Sequence, residues 1–151
     1  MHTLSIQKLS KKEKDTIKTW RYSGEYATFN YAVKEGGWIE SYCTCDDSPC
    51  YCCMEEGMII GLFLFIPEKE NEFRVLINPE MLNRGYGKRI TGAAMDIALK
   101  ELHYSQISLI VRKSHTVAMS LYQKMGFEIV GETQENIEGK MLNFYRMCFK
   151  A

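Results

Sequence analysis

Hydrophobic and polar positions along the chain follow two periods, and each period predicts a different kind of element. Apolar residues at every second position, and short apolar runs bounded by turn residues, predict β-strands. The predicted strands are Thr3–Leu9, Cys50–Met54, Met58–Ile66, Glu72–Ile77, Ile107–Val111, Phe127–Gly131 and Leu142–Phe149.

Apolar residues three and four positions apart predict amphipathic helices. The predicted helices are a polar stretch that Ser10 caps and that ends near Ser23, followed by Glu25–Lys34, Lys88–Leu102 and Ser114–Met125. The order of elements, β-αα-βββ-α-β-α-ββ, predicts an α/β fold with a mixed sheet of about six to seven strands and helices on both faces. No repeat or Pro/Ser-rich linker interrupts the pattern, so residues 1–151 are predicted to form a single domain.

Charge and composition exclude several classes of protein. Lys and Arg together number 19, as do Asp and Glu, so no global field would hold nucleic acid or an anionic membrane. The longest apolar run, Met58–Ile66, is much shorter than the roughly 20 residues that cross a bilayer. The first residues lack the apolar core of a signal peptide, and we therefore expect a cytoplasmic protein.

Most of the cysteines crowd into CTCDDSPCYCC, residues 43–53. A hairpin with its turn in this segment would place Cys45 opposite Cys50 and Cys43 opposite Cys52, and such thiolates could bind zinc. However, structural zinc sites commonly use C-x2-C pairs, whereas the spacing here is C-x-C, and a reduced cysteine also serves as a small hydrophobic residue in a buried strand. We therefore predict buried thiols, no bound metal and no required disulfide.

The segment LNRGYGKRI, residues 82–90, has the physical properties of an anion-binding turn. Backbone N–H groups in the first turn of a helix lack internal partners, and the helix dipole favours negative charge there. Gly85 and Gly87 allow the backbone to approach an oxyanion closely. The cations beside them are Arg84, Lys88 and Arg89.

Two familiar phosphate loops do not fit this segment. A Walker A loop requires Ser or Thr after Gly-Lys, and here Arg89 follows; a dinucleotide fingerprint requires a third glycine, and here Ile90 occupies that position. Taken alone, the turn is also compatible with a plain structural role.

The context of the turn resembles the GNAT superfamily of acyl-CoA-dependent N-acyltransferases. The turn NRGYGKR follows a strand that ends in Asn-Pro-Glu, and it is similar to that family's Q/R-x-x-G-x-G/A pyrophosphate loop. The segment HTVAMSLYQKMGF, residues 115–127, is similar to the family's N-x-x-A-x-x-L-Y-x-K-x-G-F signature. A weaker likeness is the aromatic-rich segment WRYSGEYATFNY, residues 20–31, which some members share.

The resemblance implies acetyl-CoA as the acyl donor and assigns residues to its parts. Backbone groups would bind the pantetheine arm, and the glycine turn would wrap the pyrophosphate. The implied residues are Val75, Leu76 and Ile77 for the arm and Asn83, Arg84, Gly85, Tyr86, Gly87 and Lys88 for the pyrophosphate. Leu82 departs from the usual Gln or Arg. His115 stands where an asparagine usually contacts the cofactor, and a neutral imidazole can also donate one hydrogen bond.

The resemblance also implies an N-acetyltransferase in which an amine attacks the thioester directly in a ternary complex. Tyr122 matches the family's tyrosine that protonates the departing thiolate, and a phenol is protonated at neutral pH. A core aromatic is the other interpretation of Tyr122. Glu72, at the start of a strand, is our candidate for the base that accepts the amine's proton, directly or through water. A solvated charge at the strand end is its alternative.

The acceptor amine, of a small molecule or of a peptide or protein, is left open. The resemblance places its recognition between residues 20–31 and the predicted loop ETQENIEGK. Glutamates there could favour a cationic amine, and they are Glu25, Glu132, Glu135 and Glu138. Two other classes remain: a non-catalytic acyl-CoA-binding module, and a metal-binding interaction protein built on the cysteine hairpin.

Overall fold

The computed structural model describes residues 3–44 and 48–151. Its strands occur at the predicted positions, most of them with shifted ends. The strands are β1 (Ser5–Lys8), β2 (Cys50–Glu55), β3 (Met58–Ile66), β4 (Glu72–Ile77), β5 (Gln106–Arg112), β6 (Glu128–Ile137) and β7 (Lys140–Lys150). They form one seven-stranded sheet in the order β1-β2-β3-β4-β5-β7-β6. The pair β4–β5 is parallel, whereas β1–β2, β2–β3, β5–β7 and β6–β7 are antiparallel. The prediction of a mixed sheet in an α/β fold is confirmed.

The helices are short except for the one that follows the glycine turn. They are α1 (Lys11–Ile17), α2 (Asn30–Val33), α3 (Trp38–Tyr42), α4 (Tyr86–Asp96) and α5 (Thr116–Lys124). A π-helical segment, Ile97–Glu101, continues α4, and 3-10 turns occupy Gly24–Phe29, Pro67–Lys69 and Pro79–Met81. Within the described ranges, no helix combines the length and the apolar character that a membrane crossing requires.

The chain divides into two compact units, and the first comprises Met1–Phe65 and Arg74–Thr91. Its core is formed by β3 together with the apolar faces of the helices. Residues fully shielded from solvent include Ile17, Ile39, Leu62, Phe63, Leu64 and Ile90. Tyr51 of β2 stacks on Phe63 of β3 with ring centroids 5.0 Å apart, which fixes the two strands against each other.

The second unit comprises Ile66–Phe73 and Gly92–Ala151. In it, β7 pairs along one edge with β5 and along the other with β6. Its buried residues include Ile107, Leu109, Phe127 and Met147. The ring of Phe127 lies 5.7 Å from that of Phe149, which places an aromatic contact between the segment after α5 and the central strand. The single-domain prediction for residues 1–151 stays a prediction.

The first helix ends at Ile17, earlier than the predicted end near Ser23. The cause is a tertiary contact that replaces helical hydrogen bonds. The side-chain oxygen of Asn30 accepts from the backbone N–H of Tyr22 at 2.7 Å, and the Asn30 amide donates to the Tyr22 carbonyl at 2.9 Å. The predicted N-cap is correct, since the Ser10 hydroxyl accepts from the N–H of Glu13.

The predicted helix Glu25–Lys34 is wrong in type over its first half. Gly24–Phe29 forms a 3-10 turn, and only Asn30–Val33 is α-helical. The short helix Trp38–Tyr42 was not predicted, because the glycines before it and the cysteines after it obscure its apolar spacing.

The segment ETQENIEGK is a hairpin rather than the predicted loop. Strand β6 continues to Ile137, and β7 begins at Lys140. The two residues between them, Glu138 and Gly139, have φ of 52° and 87°, as a type I′ turn requires. The hydrophobic pattern missed this extension because both strands are largely polar there.

Among the described residues, Cys52 pairs with Gln7 and Leu62 and not with Cys43, as the zinc-binding hairpin would require. Cys43 ends helix α3, whereas Cys50, Cys52 and Cys53 lie buried on β2. Burial raises the pKa of Cys52 and of Cys53 to about 12, so both are thiols at neutral pH. Cys45 lies outside the described residues. No group of three or more His, Cys, Asp and Glu side chains in residues 3–44 and 48–151 is arranged to hold a metal ion.

We expect Gly61→Ala to destabilise the fold strongly. A Cβ at this position of β3 would lie 2.6 Å from the carbonyl oxygen of Leu76 and 3.2 Å from Cδ1 of Ile90. Because the first obstacle is backbone, relief requires the strands to separate, and overpacking of this kind costs about 3 kcal/mol. Gly92→Ala is the control, since its Cβ meets nothing within 4 Å. Equal unfolding midpoints in urea for the two variants would contradict this expectation.

Candidate functional site

The glycine turn connects the end of β4 to the start of α4. The turn is anchored at Asn78, whose side chain accepts from the N–H of Glu80 at 2.9 Å and donates to the carbonyl of Ile59 at 2.9 Å. Gly85 lies outside helix and strand, with φ of 82°, a conformation that glycine adopts at little cost. The predicted helix Lys88–Leu102 starts two residues too late, because α4 begins at Tyr86.

The geometry of this turn leaves donors free for an anion. The carbonyl of Gly85 accepts the first helical bond, from the N–H of Arg89 at 3.4 Å, so Gly85 is the N-cap residue. The N–H groups of the following three residues therefore have no partner within the helix. A Cβ at Gly85 or Gly87 would meet nothing within 4 Å, so the space in front of the turn is open. Arg84 and Lys88 are exposed beside it.

Glu55, at the end of β2, engages the side chains of Tyr86 and Arg89, two residues that the sequence assigned to the anion-binding turn. The hydroxyl of Tyr86 donates to Glu55 Oε1 at 2.6 Å, and Arg89 Nη1 lies 3.0 Å from Glu55 Oε2. The Arg89 guanidinium also lies 5.2 Å from the centre of the Tyr86 ring. This cluster neutralises the charge of Arg89, which leaves Arg84 and Lys88 as the cations available to an anion. Sequence reasoning missed Glu55 because nothing in its neighbourhood marks it.

The backbone of β4 differs from residue to residue in what it can offer a ligand. The N–H of Asn78 donates to the carbonyl of Ile60 on β3 at 2.8 Å. The carbonyl of Ile77 belongs to the same planar peptide unit and therefore points away from β3. Backbone polar groups alternate in direction along a strand, so those of Val75 also point away from β3. The backbone carbonyl of Leu76, in contrast, points toward β3. Val75 and Ile77 therefore present backbone donors and acceptors along the edge away from β3.

In the second unit, Tyr122 lies on α5 and is half-buried. Its ring meets that of Phe127 edge to face, with centroids 5.8 Å apart. Burial raises the pKa of Tyr122 to about 12, so the phenol keeps its proton at neutral pH. Its hydroxyl makes no hydrogen bond to other described residues. His115 is the N-cap residue of the same helix.

Glu72 lies at the start of β4, opposite Ser108 of β5, and only 5% of its surface is exposed. It borders a cavity of 320 Å³ in the second unit. The residues that line this cavity are Glu68, Lys69, Glu70, Glu72, Ile110, Thr133, Glu135 and Arg146. Four carboxylates against two cations favour a positively charged ligand. Arg146 was not among the predicted residues, since it faces the cavity only through the pairing of β5 with β7.

The four glutamates considered for the acceptor have different environments. Glu135 lines the cavity, whereas Glu132 forms an ion pair with Lys113. Glu25 is exposed in the 3-10 turn, and Glu138 is exposed in the β6–β7 turn. Of these predicted carboxylates, only Glu135 lies beside Glu72 at a cavity.

This chain matches the model of a known protein family. The model described as "Acetyltransferase (GNAT) family" matches residues 15–127, which include the glycine turn and the segment 115–127. The resemblance inferred from the two motifs is confirmed.

Among characterised sequences, the spermidine N(1)-acetyltransferase of Escherichia coli (strain K12) is 35% identical over 79 residues. The matched region covers 51% of this chain and 42% of that protein. The same enzyme from Escherichia coli O157:H7 matches equally. The chain thus matches less than half the length of these relatives.

Among solved structures, the spermidine N-acetyltransferase of Vibrio cholerae in complex with CoA and spermine superposes with a TM-score of 0.78. The identity is 20%, and the match covers 97% of this chain and 95% of that chain. The spermidine/spermine N-acetyltransferase of the same organism in complex with manganese ions gives a TM-score of 0.75 at 20% identity, over 97% and 92% of the two chains. Likeness at this identity shows that the fold is shared.

Proposed function

The chain belongs to the acetyltransferase (GNAT) family, and from this premise we propose that it transfers the acetyl group of acetyl-CoA to an amine of a polyamine. The observation that carries the proposal is the family match across residues 15–127, which contains an open, glycine-lined helix N-terminus at the expected position.

Acetyl-CoA binds, in this proposal, through backbone donors more than through side chains. The pyrophosphate occupies the N-terminus of α4, where the unpaired N–H groups of Tyr86, Gly87 and Lys88 meet a negative charge. Arg84 and Lys88 add positive charge there. The pantetheine arm lies along the edge of β4 that faces away from β3, where Val75 and Ile77 present their backbone groups. His115 and Asn83 complete the predicted contacts.

The reaction requires one proton to leave the amine and one to reach the thiolate. The neutral amine nitrogen attacks the thioester carbon, the bond to sulfur breaks, and CoA leaves as a thiolate. Glu72 accepts the proton that the nitrogen loses, directly or through a water molecule. Tyr122 donates its proton to the sulfur and regains one from solvent. The products are the acetylated amine and free CoA.

Two observations favour a polyamine as the acceptor. The relatives that match this chain are named spermidine acetyltransferases. Independently, the cavity beside Glu72 has four glutamates against one lysine and one arginine, a balance suited to a chain that carries several ammonium groups. Glu72 and Glu135 are its partly or fully buried carboxylates, and a carboxylate held away from water attracts a cation more strongly.

The proposal is tested by offering acetyl-CoA with spermidine, spermine, simple monoamines, aminoglycosides and peptide N-termini. Formation of the acetylated amine is followed by mass spectrometry, because the six cysteines of the chain would disturb a thiol-reactive assay. We expect transfer to spermidine or spermine with a KM about fivefold below that for a monoamine, the effect of an additional ion pair of about 1 kcal/mol. Binding of acetyl-CoA without transfer to any amine would instead favour the acyl-CoA-binding module.

Within this function, Glu72→Gln is expected to lower kcat by about a hundredfold, the usual contribution of a positioned base. The amide keeps the shape of the side chain but cannot accept the proton. The defect should shrink as pH rises, because more of the amine is then already deprotonated. Glu135→Gln is the matched change at the same cavity, and it should raise the KM for the polyamine a few-fold with kcat retained. Full kcat in Glu72→Gln would remove Glu72 from the mechanism.

A further inference from the structure

The aromatic segment of residues 20–31 is hydrogen-bonded to both predicted parts of the CoA site in the first unit. The hydroxyl of Tyr22 donates to the carbonyl oxygen of Ile77, the last residue of β4. The hydroxyl of Tyr26 donates to the side-chain oxygen of Asn83 in the glycine turn at 3.1 Å. The sequence had marked this segment only for the acceptor.

The contact of Tyr22 is made at the ligand-facing edge of β4. Because the N–H of Asn78 is engaged by Ile60 of β3, the Ile77 carbonyl points to the opposite edge, along which the pantetheine arm is proposed to lie. A carbonyl oxygen has two lone pairs, so one can accept from Tyr22 while the other stays available to the arm. Burial raises the pKa of Tyr22 well above its usual range, so the phenol remains a donor at accessible pH.

Tyr22 is itself held in place. Its backbone N–H and carbonyl both bond to the side chain of Asn30, at 2.7 and 2.9 Å, and its ring meets Phe29 edge to face with centroids 5.5 Å apart. Only 6% of its surface is exposed. A side chain fixed at backbone, ring and hydroxyl can position the strand end that it contacts.

Tyr26 makes the second contact from a more exposed position. Its ring packs near Phe29, with centroids 5.8 Å apart. Asn83 has φ of 62°, a left-handed conformation that asparagine tolerates better than most residues. The Tyr26 hydroxyl therefore stabilises the turn where its backbone is strained, two residues before Gly85.

We propose that Tyr22 and Tyr26 are positioning residues for acetyl-CoA, with Tyr22 fixing the pantetheine-binding end of β4 and Tyr26 fixing the pyrophosphate turn. This inference rests on the proposed function, since it concerns the same cosubstrate. It adds to that function a separate task for each of the two hydroxyls. Neither the fold nor the family match implies these tasks.

These separate tasks are tested by comparing CoA with adenosine 3′-phosphate 5′-diphosphate, which keeps the pyrophosphate and lacks the pantetheine arm. For Tyr22→Phe we expect the affinity for CoA to fall about tenfold, the effect of losing one buried hydrogen bond, while the affinity for the arm-free nucleotide is unchanged. For Tyr26→Phe we expect both affinities to fall by a similar factor of about three. Calorimetry on the folded variants gives each value.

Tyr31→Phe is the matched control, because it removes the same atom from a tyrosine of the same segment that contacts Lys34 instead. It should leave both affinities unchanged. In Tyr22→Phe, kcat at saturating acetyl-CoA should equal that of the unchanged protein, with the effect confined to the KM for acetyl-CoA. A general loosening of the fold would lower kcat and both affinities together, and would overturn the inference.

The two levels of proposal fail in different ways. Unchanged affinities in Tyr22→Phe and Tyr26→Phe, with normal CoA binding by the natural chain, would overturn the positioning roles alone. Failure of the natural chain to bind CoA would overturn the proposed function and this inference with it. If Tyr22→Phe does not fold, Tyr26→Phe still tests the proposal, because Tyr26 is partly exposed. Unchanged affinities in that variant overturn the proposal.

Discussion

Gly87→Asp is expected to weaken CoA binding strongly while leaving the protein folded. Gly87 is the second residue of α4, and its N–H belongs to the group of donors without a helical partner. An aspartate there would compete for these donors with its own carboxylate and would repel the pyrophosphate. The electrostatic and steric effects act in the same direction, and we expect a loss of about a hundredfold or more in affinity.

The stability of this variant should change in the opposite direction to its affinity. A carboxylate in the first turn of a helix interacts favourably with the helix dipole, by about 0.5 kcal/mol. Replacing a helical glycine adds a further favourable term, and the space around its Cβ is open. The unfolding midpoint in urea should therefore be unchanged or slightly higher, so that lost binding cannot be attributed to unfolding.

Gly87→Asn and Gly87→Ala separate the two causes of lost affinity. Asparagine has nearly the size of aspartate without its charge, and alanine adds only the Cβ. We expect affinity to decrease in the order Ala, Asn, Asp, as measured by calorimetry with CoA. Native affinity in a folded Gly87→Asp protein would show that the glycine turn is not where the cofactor binds.

The sequence predicted the sheet well because its strands carry a strong apolar signal. The run Met58–Ile66 became β3 with its ends unchanged, and Glu72–Ile77 became β4 in the same way. Both strands are bounded by turn residues that leave little freedom for their ends. The long polar hairpin β6–β7 was underestimated because its outer half buries little, so that cross-strand pairing and the turn, rather than apolar burial, hold it.

The elements that the sequence missed depend on contacts distant along the chain. The first helix ends early because Asn30 binds the backbone of Tyr22, and no local signal marks that pair. For the same reason the sequence did not show that Glu55 engages the side chains of Tyr86 and Arg89. The glycine turn itself was located correctly, since glycine and cation spacing before a helix is a local pattern. Its exact length depended on the start of α4, and helix ends are set by capping geometry.

Tyr122→Phe is expected to lower kcat by about a hundredfold or more, since it removes the proton donor and keeps the ring. The edge-to-face contact with Phe127 does not involve the hydroxyl and should persist. Because that hydroxyl has no hydrogen-bond partner among the described residues, its removal should change the free energy of unfolding by less than about 1 kcal/mol. CoA affinity should stay within a few-fold.

The pH dependence of kcat gives an independent measure of the same role. Burial raises the pKa of Tyr122 to about 12, so the acid form is retained through the neutral and alkaline range. Ionisation of Tyr122 should therefore cause no fall in kcat below about pH 11, and any alkaline loss at lower pH must come from another group. In the Tyr122→Phe variant, the remaining rate should decline as pH rises, because solvent must then supply the proton.

The measurement that decides the role of Tyr122 is kcat and CoA affinity on the same folded variant. A rate loss of a hundredfold with retained affinity assigns the proton transfer to the hydroxyl. A loss of affinity that matches the loss of kcat/KM, with kcat preserved, would make Tyr122 a cofactor contact instead. Full activity would make it a packing residue of α5, and the proton on the departing CoA sulfur would then have to come from solvent or from another side chain.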